Sequence, residues 1–274
     1  MRIEQTESDI DFGGHSTILV LIAHQDDEFG LVPFISRAVA AKVRVIVACL
    51  TSGCLNNNVD SVRDNEIKSS LQSLGIPVAD YWAIGTAEKF SDSKLASHLS
   101  AALAAVIAKL NYHQIKVTML LTHDLEGGHQ DHDACNLVAR KLVKVIEPDC
   151  RLALSFPMYH GEGTIFGLYK SFRPVLSRDV YCILKLTLSE RILTLSLPLR
   201  YPSQRIPLLG LLPFALYEFG LLGRLFFCRL DRNLELVRPH SGLLLYERRK
   251  RFSYVEFEKL AKHFLEDSTR MRSN

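Results

Sequence analysis

No two of the six cysteines (Cys49, Cys54, Cys135, Cys150, Cys182 and Cys228) are spaced as CxxC or in any paired framework. That excludes structural zinc on cysteine and a disulfide-stapled scaffold, and it points to reduced thiols in a cytoplasmic protein. Charge of one sign is equally scarce. A formal net charge of +3 over 274 residues gives no basis for general nucleic-acid binding. There is no internal repeat, no low-complexity tract and no convincing linker, so residues 1–274 read as one domain. Residues 1–16 are polar and carry several acids, unlike a secretory signal or a transit peptide. What is present is core material: 47% of the residues are hydrophobic and 23% charged, as in an ordinary folded α/β domain.

Residues 206–228 are the most apolar stretch. Pro207, Pro213, Glu218 and Arg224 within it would be costly inside lipid, which favours a buried or interfacial segment over a membrane span. Contact with a membrane surface and a homo-oligomeric interface both stay open for it.

The first half alternates between two patterns. Residues 16–23, 43–50, 81–84, 117–121 and 151–156 are short apolar or β-branched runs without alternation, as expected of strands buried on both faces. Between them lie helical periods. Residues 31–41 form one. Residues 61–74 form a second, with Ser61 as N-cap, Asp64 three positions on, a stripe of Ile67, Leu71 and Leu74, and a stop at Gly75. Residues 95–110 carry Leu95, Leu99, Leu103, Val106 and Leu110 on one side, and residues 131–146 form the fourth. This order predicts a Rossmann-like, doubly wound and mainly parallel sheet with helices on both faces and right-handed crossovers. Beyond residue 160 the pattern weakens into a C-terminal elaboration. Residues 183–196 suit a strand or a helix, 242–248 read as a strand, and 253–265 as a terminal helix with a Ser253/Glu256 capping box. The basic run at 248–251 reads as a solvated turn, with an anion or membrane-surface role as the alternative.

Two polar clusters stand out against this frame. Ala23-His24-Gln25-Asp26-Asp27-Glu28 follows the first strand, and Gly127-Gly128-His129-Gln130-Asp131-His132 follows the strand at 117–121. Ligands of open α/β sheets bind beyond the carboxyl ends of the strands, so the topology brings both clusters to one edge. Alone, an Asp pair opening a helix is commonly an N-cap, and an HxxH at a helix start is commonly solvated surface. Together they supply three imidazoles and paired carboxylates, enough for a metal hydrolase with an open coordination position.

These residues resemble the LmbE-like (PIG-L) zinc-dependent de-N-acetylases. His24-Gln25-Asp26-Asp27-Glu28 is similar to the family's A-H-P-D-D-E motif, and His129-Gln130-Asp131-His132 to its H-P-D-H motif. The likeness extends to Thr51-Ser52-Gly53, Arg63-x-x-Glu66, Leu74-Gly75, Thr122-His123 and Phe156-Pro157-Met158-Tyr159-His160, with a looser echo in 238–247. It covers roughly the first 160 residues, so the core is expected at about 16–160, with 161–274 shaping the substrate pocket. Gln25 and Gln130 replace prolines that are not ligands, which touches only loop rigidity.

The resemblance implies a Zn²⁺ site, with Fe²⁺ also compatible, held by His24, Asp27 and His132. It implies Asp26 as general base, and His129 as the group that stabilises the oxyanion or protonates the departing amine, with Asp131 orienting it. The implied reaction removes the N-acetyl group of an amino sugar or its conjugate. A non-sugar N-acyl amidase and a catalytically silent metal- or glycan-binding module are the rival readings. Arg63, Asp92 and His123 are candidate substrate-binding residues. Arg63 could equally form a surface ion pair with Glu66, Asp92 could cap the next helix, and His123 with Asp124 could support the site from behind. Glu28 is expected to hold its loop by bonding backbone amides. Tyr159, His160 and His240 are weaker candidates, and Cys54 reads as an incidental small residue. Gly127 and Gly128 are read as a backbone requirement of the turn before His129.

Overall fold

The computed structural model describes residues 10–55, 61–165, 168–250 and 252–266. The polar start and the Arg251 end of the basic run lie partly or wholly outside them. Nine strands occur among the described residues: β1 Thr17–Ile22, β2 Arg44–Cys49, β3 Tyr81–Ala83, β4 Met119–His123, β5 Leu152–Phe156, β6 Tyr159–His160, β7 Lys170–Ser171, β8 Val180–Lys185 and β9 Arg224–Arg229. The helices are α1 Val32–Ala40, α2 Ser61–Ser73, α3 Ile84–Glu88, α4 Leu99–Tyr112, α5 Gln130–Val145, α6 Leu188–Ser196, α7 Arg205–Ala215, α8 Leu245–Arg248 and α9 Tyr254–Glu266.

Seven strands form one sheet in the order β3-β2-β1-β4-β5-β9-β8. The first five run parallel, and the last two add an antiparallel edge. Alternate residues of β1 explain why its sequence shows no alternation. Ile18, Val20 and Ile22 pack toward α1 and α2, while Leu19 and Leu21 pack toward α4, α5 and α9. Both faces are apolar because both are covered. The chain order reverses between β1 and β4, the switch point at which α/β sheets place their ligands.

Several local expectations change. Residues 183–196 are both things in succession: the end of β8, then α6, whose Thr187/Glu190 capping box starts the helix. The expected strand at 242–248 is instead the short helix α8, started by the Glu247 carboxylate accepting from Leu244 N at 2.8 Å. Periodicity cannot separate these states in a four-residue apolar run. The N-cap role of the Ser61 side chain lies outside the described residues. Asp64, its expected partner, is engaged elsewhere, accepting from Tyr81 Oη at 2.6 Å and Gln25 Nε2 at 3.2 Å. Gly75 does end α2, at φ +86. The Ser253/Glu256 box is formed, with Ser253 N donating at 3.0 Å and Glu256 N donating back to Ser253 Oγ at 3.2 Å.

The apolar 206–228 stretch divides into α7, a π-helical turn Leu216–Leu221 and the buried strand β9. No helix among the described residues is long and apolar enough to cross a membrane.

Candidate active site

The two clusters meet beyond the carboxyl ends of β1 and β4. After β1 the chain turns so that Asp27 Oδ2 accepts from His24 N at 2.6 Å, and a 3-10 turn follows at Asp27–Leu31. The side chains of His24 and Asp27 are thereby fixed on one side of the turn. After β4 the chain must bend sharply to bring α5 over the site. Gly127 does this at φ +72, and a Cβ on Gly128 would stand 1.8 Å from the carbonyl oxygen of Tyr159. Only glycine tolerates that approach. His129 then caps α5, its Nδ1 accepting from Asp131 N at 3.2 Å.

His132 Nε2 lies 3.3 Å from Asp27 Oδ1, and His24 Nδ1 lies 3.4 Å from Asp27 Oδ2. Donor atoms of His24, His129 and His132 fall within 4.8 Å of one another, as do those of Asp27, His123 and His132. Both ring nitrogens of His132 are buried without a hydrogen-bond partner. A buried, unsatisfied imidazole nitrogen facing a carboxylate at this range is a costly arrangement that a shared cation resolves. The charge balance points the same way. Asp26, Asp27, Asp92 and Asp131 converge on the site with Arg63 as the facing guanidinium. The residues present therefore fit a divalent metal.

Protonation follows from these contacts. Burial alone would depress His24, but Asp92, Asp27 and Asp131 outweigh it and hold the imidazole well above its ordinary range. Asp27 is buried too, yet His132, His123 and His24 keep its carboxyl well below the usual carboxylate range. Burial pushes His132 down to about 4 and His129 down to about 3, with neighbouring imidazoles adding to the effect. Ionised Asp27 and neutral His132 are the forms that ligate metals. Burial raises Asp26, Asp27 adds to the rise, and Arg63 opposes it.

Other candidates land less simply. Arg63 is buried and makes no surface pair with Glu66. Its Nη2 donates to Asp26 Oδ1 at 2.7 Å and its Nη1 to Gly53 O at 2.6 Å, while Glu66 accepts from Ser203 N at 2.9 Å. Spacing in sequence left the i,i+3 pair and a cleft-facing role equally open; tertiary partners on both residues exclude the pair, and Arg63 lines the cleft. Asp92 caps no helix; its Oδ1 sits 3.3 Å from His24 Nε2 and 3.8 Å from His129 Nε2. Asp131 does not orient His129 through its carboxylate. That group accepts from Ser93 N at 2.6 Å and Leu95 N at 3.0 Å, and touches His24 Nε2 at 3.2 Å.

His123 is wholly buried behind the site and does not line the cleft. It stacks on His132 with ring centroids 4.0 Å apart, and its Nε2 lies 3.0 Å from Asp27 Oδ2. Asp124 turns away to Arg178 at 2.7 Å. Glu28 accepts from the side chains of Ser70, Oγ at 2.7 Å, and Tyr201, through its hydroxyl. His160 and His240 face each other away from the cleft, with ring centroids 6.3 Å apart.

The cleft over these groups measures about 290 Å³. His24, Asp26, Asp27, Arg63, Asp92 and His129 form its floor. Its walls come from Met158, Tyr159 and Tyr169, from Gln204, Pro207, Leu208 and Leu211 on and before α7, and from Arg249. The walls beyond Tyr159 carried no recognisable motif. A larger cleft, about 640 Å³, runs along β3 beside Trp82 and Tyr112, but none of the convergent donor groups found among the described residues lies in it.

Residues 19–143, which carry both clusters, match the family described as PIG-L: GlcNAc-PI de-N-acetylase. The chain is also similar in fold to a deacetylase of the teicoplanin biosynthesis pathway, at 14% identity and a TM-score of 0.56, covering 78% of this chain and 96% of that one. A zinc-inhibited form of teicoplanin deacetylase aligns at 14% identity and a TM-score of 0.54, over 78% of this chain and 97% of the other. The N,N'-diacetylchitobiose deacetylase from Pyrococcus horikoshii aligns at 15% identity and a TM-score of 0.54, over 79% of this chain and 84% of the other. The matched residues supply the whole floor of the cleft, and the chain after them supplies its walls.

Proposed function

We propose that this chain is a metal-dependent hydrolase that removes the N-acetyl group from an amino sugar or amino-sugar conjugate, releasing the free amine and acetate. The observation that carries the reading is the approach of His24 and of His132 to Asp27, at 3.4 and 3.3 Å, with His24 and Asp27 on the cleft floor beside Asp26 and His129. The PIG-L match and the deacetylases of like fold support it. His24, Asp27 and His132 would hold the metal, Zn²⁺ or Fe²⁺, which when bound supplies Lewis acidity toward the amide carbonyl and an attacking water.

The chain's own groups do the rest. Asp26, beside a ligand and held by Arg63, takes the proton of the attacking water. Water adds to the carbonyl carbon, the C–N bond breaks, and the proton passes to the departing nitrogen. His129 Nδ1 accepts from a backbone amide, so its proton resides on Nε2, which faces the cleft. A neutral imidazole there donates a hydrogen bond to the developing oxyanion, the first of the two roles considered for it. Asp131 and Asp92 orient His24, and His123 supports Asp27. The apolar wall of Met158, Pro207, Leu208 and Leu211 suits a conjugate with an apolar portion better than a bare sugar. A silent binding module would have no use for Asp26 and His129 around an open metal position. The free thiols suit a cytoplasmic setting.

The test is acetate release from a panel of N-acetylglucosamine conjugates by metal-loaded protein. Release should fall by roughly 10²–10⁴ in Asp26→Ala. Release from non-sugar N-acyl amides alone would overturn the sugar assignment, and no release from either class would overturn the hydrolase.

A further inference from the structure

Helix α7 is apolar on two opposite sides, and only one of them is covered. Leu208, Ala215 and, in the following turn, Phe219 point into the core. On the other side Ile206, Leu209, Pro213 and Leu216 recur at helical spacing and face solvent, with Ile206 84% and Leu209 63% exposed. Leu199, at 79% exposure, and Leu221, at 70%, continue the apolar surface before and after the helix. A run of large exposed aliphatic side chains at one place marks a contact surface.

The charges around it identify the partner. From residue 191 to 230 the chain holds five arginines and a single acid, Glu218. Glu218 is buried and neutralised by Arg173 and Arg224. Arg200 and Arg205 stand exposed at the near end of the stripe. Arg249 adds a cation at the rim of the active-site cleft, whose wall is made by Pro207, Leu208 and Leu211 of the same helix. Exposed aliphatic groups flanked by cations, with no exposed acid among them, match an anionic bilayer surface. A two-fold pairing of this face with itself would set arginine against arginine with nothing to neutralise them. The eleven residues of α7 are too few to span, so the helix would lie in the interface plane.

We propose that α7 and its flanking turns dock this protein on anionic lipid surfaces, with the active-site cleft opening beside the contact. This inference stands apart from the deacetylase reading and does not require it. The experiment is flotation of the full chain with vesicles of neutral phosphatidylcholine and with vesicles that also contain phosphatidylglycerol. The protein should float with the anionic vesicles only, and binding should weaken as salt rises. Ile206→Ser with Leu209→Ser, both at solvent-facing positions, should lower partition at least tenfold without changing the unfolding midpoint. Arg200→Gln and Arg205→Gln should each lower it about fivefold. Equal binding to neutral vesicles, or no binding to either, overturns the proposal. So does a concentration-dependent dimer by sedimentation that the aliphatic double variant abolishes while vesicle binding is absent, which would give the face to a second copy.

Discussion

Glu28 lies wholly buried beneath the site, and its proton linkage is large enough to measure in stability. Its Oε1 accepts from Ser70 Oγ and the Tyr201 hydroxyl, while Oε2 is buried without a partner. Burial raises the carboxyl from its ordinary 4.5 to about 8. Over that interval the folded chain keeps a proton that the unfolded chain releases. The contribution is fully present below the unfolded value and is lost as pH rises through the folded one, so unfolding free energy falls with pH. An interval of about 3.5 units at ~1.4 kcal/mol each caps the loss near 5 kcal/mol, of which about 3–4 kcal/mol falls between pH 5 and 8. Glu28→Gln keeps the carbonyl acceptor for Ser70 and Tyr201 and removes the titration. Urea unfolding of both proteins at pH 5, 6, 7 and 8 would show wild type losing about 3 kcal/mol relative to the variant. Parallel pH profiles would refute the reasoning.

Other consequences follow from single contacts. Arg63→Leu strips the half-buried Asp26 of its guanidinium, costing about 1–3 kcal/mol of stability, and it removes the influence that lowers the Asp26 pKa. The acid limb of kcat/KM should therefore move to higher pH; an unmoved limb would deny Asp26 the base role. Asp131→Asn weakens the support of His24 and should cut metal affinity about 10–100-fold in competition titrations. Gly128→Ala drives a Cβ against the Tyr159 carbonyl and should destabilise by about 3 kcal/mol, read as a lowered Tm, whereas an unchanged Tm would show that the turn can relax.

The sequence was most informative where burial is two-sided. Strands β1 to β5 announce themselves as unalternating apolar runs because α1 and α2 cover one face and α4, α5 and α9 the other. The residues of the proposed metal site were legible because His24, Asp27 and His132 follow strand ends that the topology must bring together. Contacts that depend on tertiary choice were not. Arg63 and Glu66 are spaced to pair, yet Asp26 and Ser203 capture them. Asp131 precedes His132 by one residue, but its carboxylate reaches back across the site to His24. The antiparallel pair β8 and β9 is separated by α6 and α7, so no local pattern announces it. The Thr187/Glu190 capping box was present in the sequence and is the signal that would have divided residues 183–196 correctly.

The central claim is that His24, Asp27 and His132 form one metal site with Asp26 beside it as base. Metal analysis of the purified chain after reloading with Zn²⁺ tests it most directly, with Asp26→Ala and His132→Ala run alongside. The account predicts a single tightly held equivalent in wild type and Asp26→Ala, and its loss in His132→Ala. Undiminished metal in His132→Ala, or none in wild type, would contradict it.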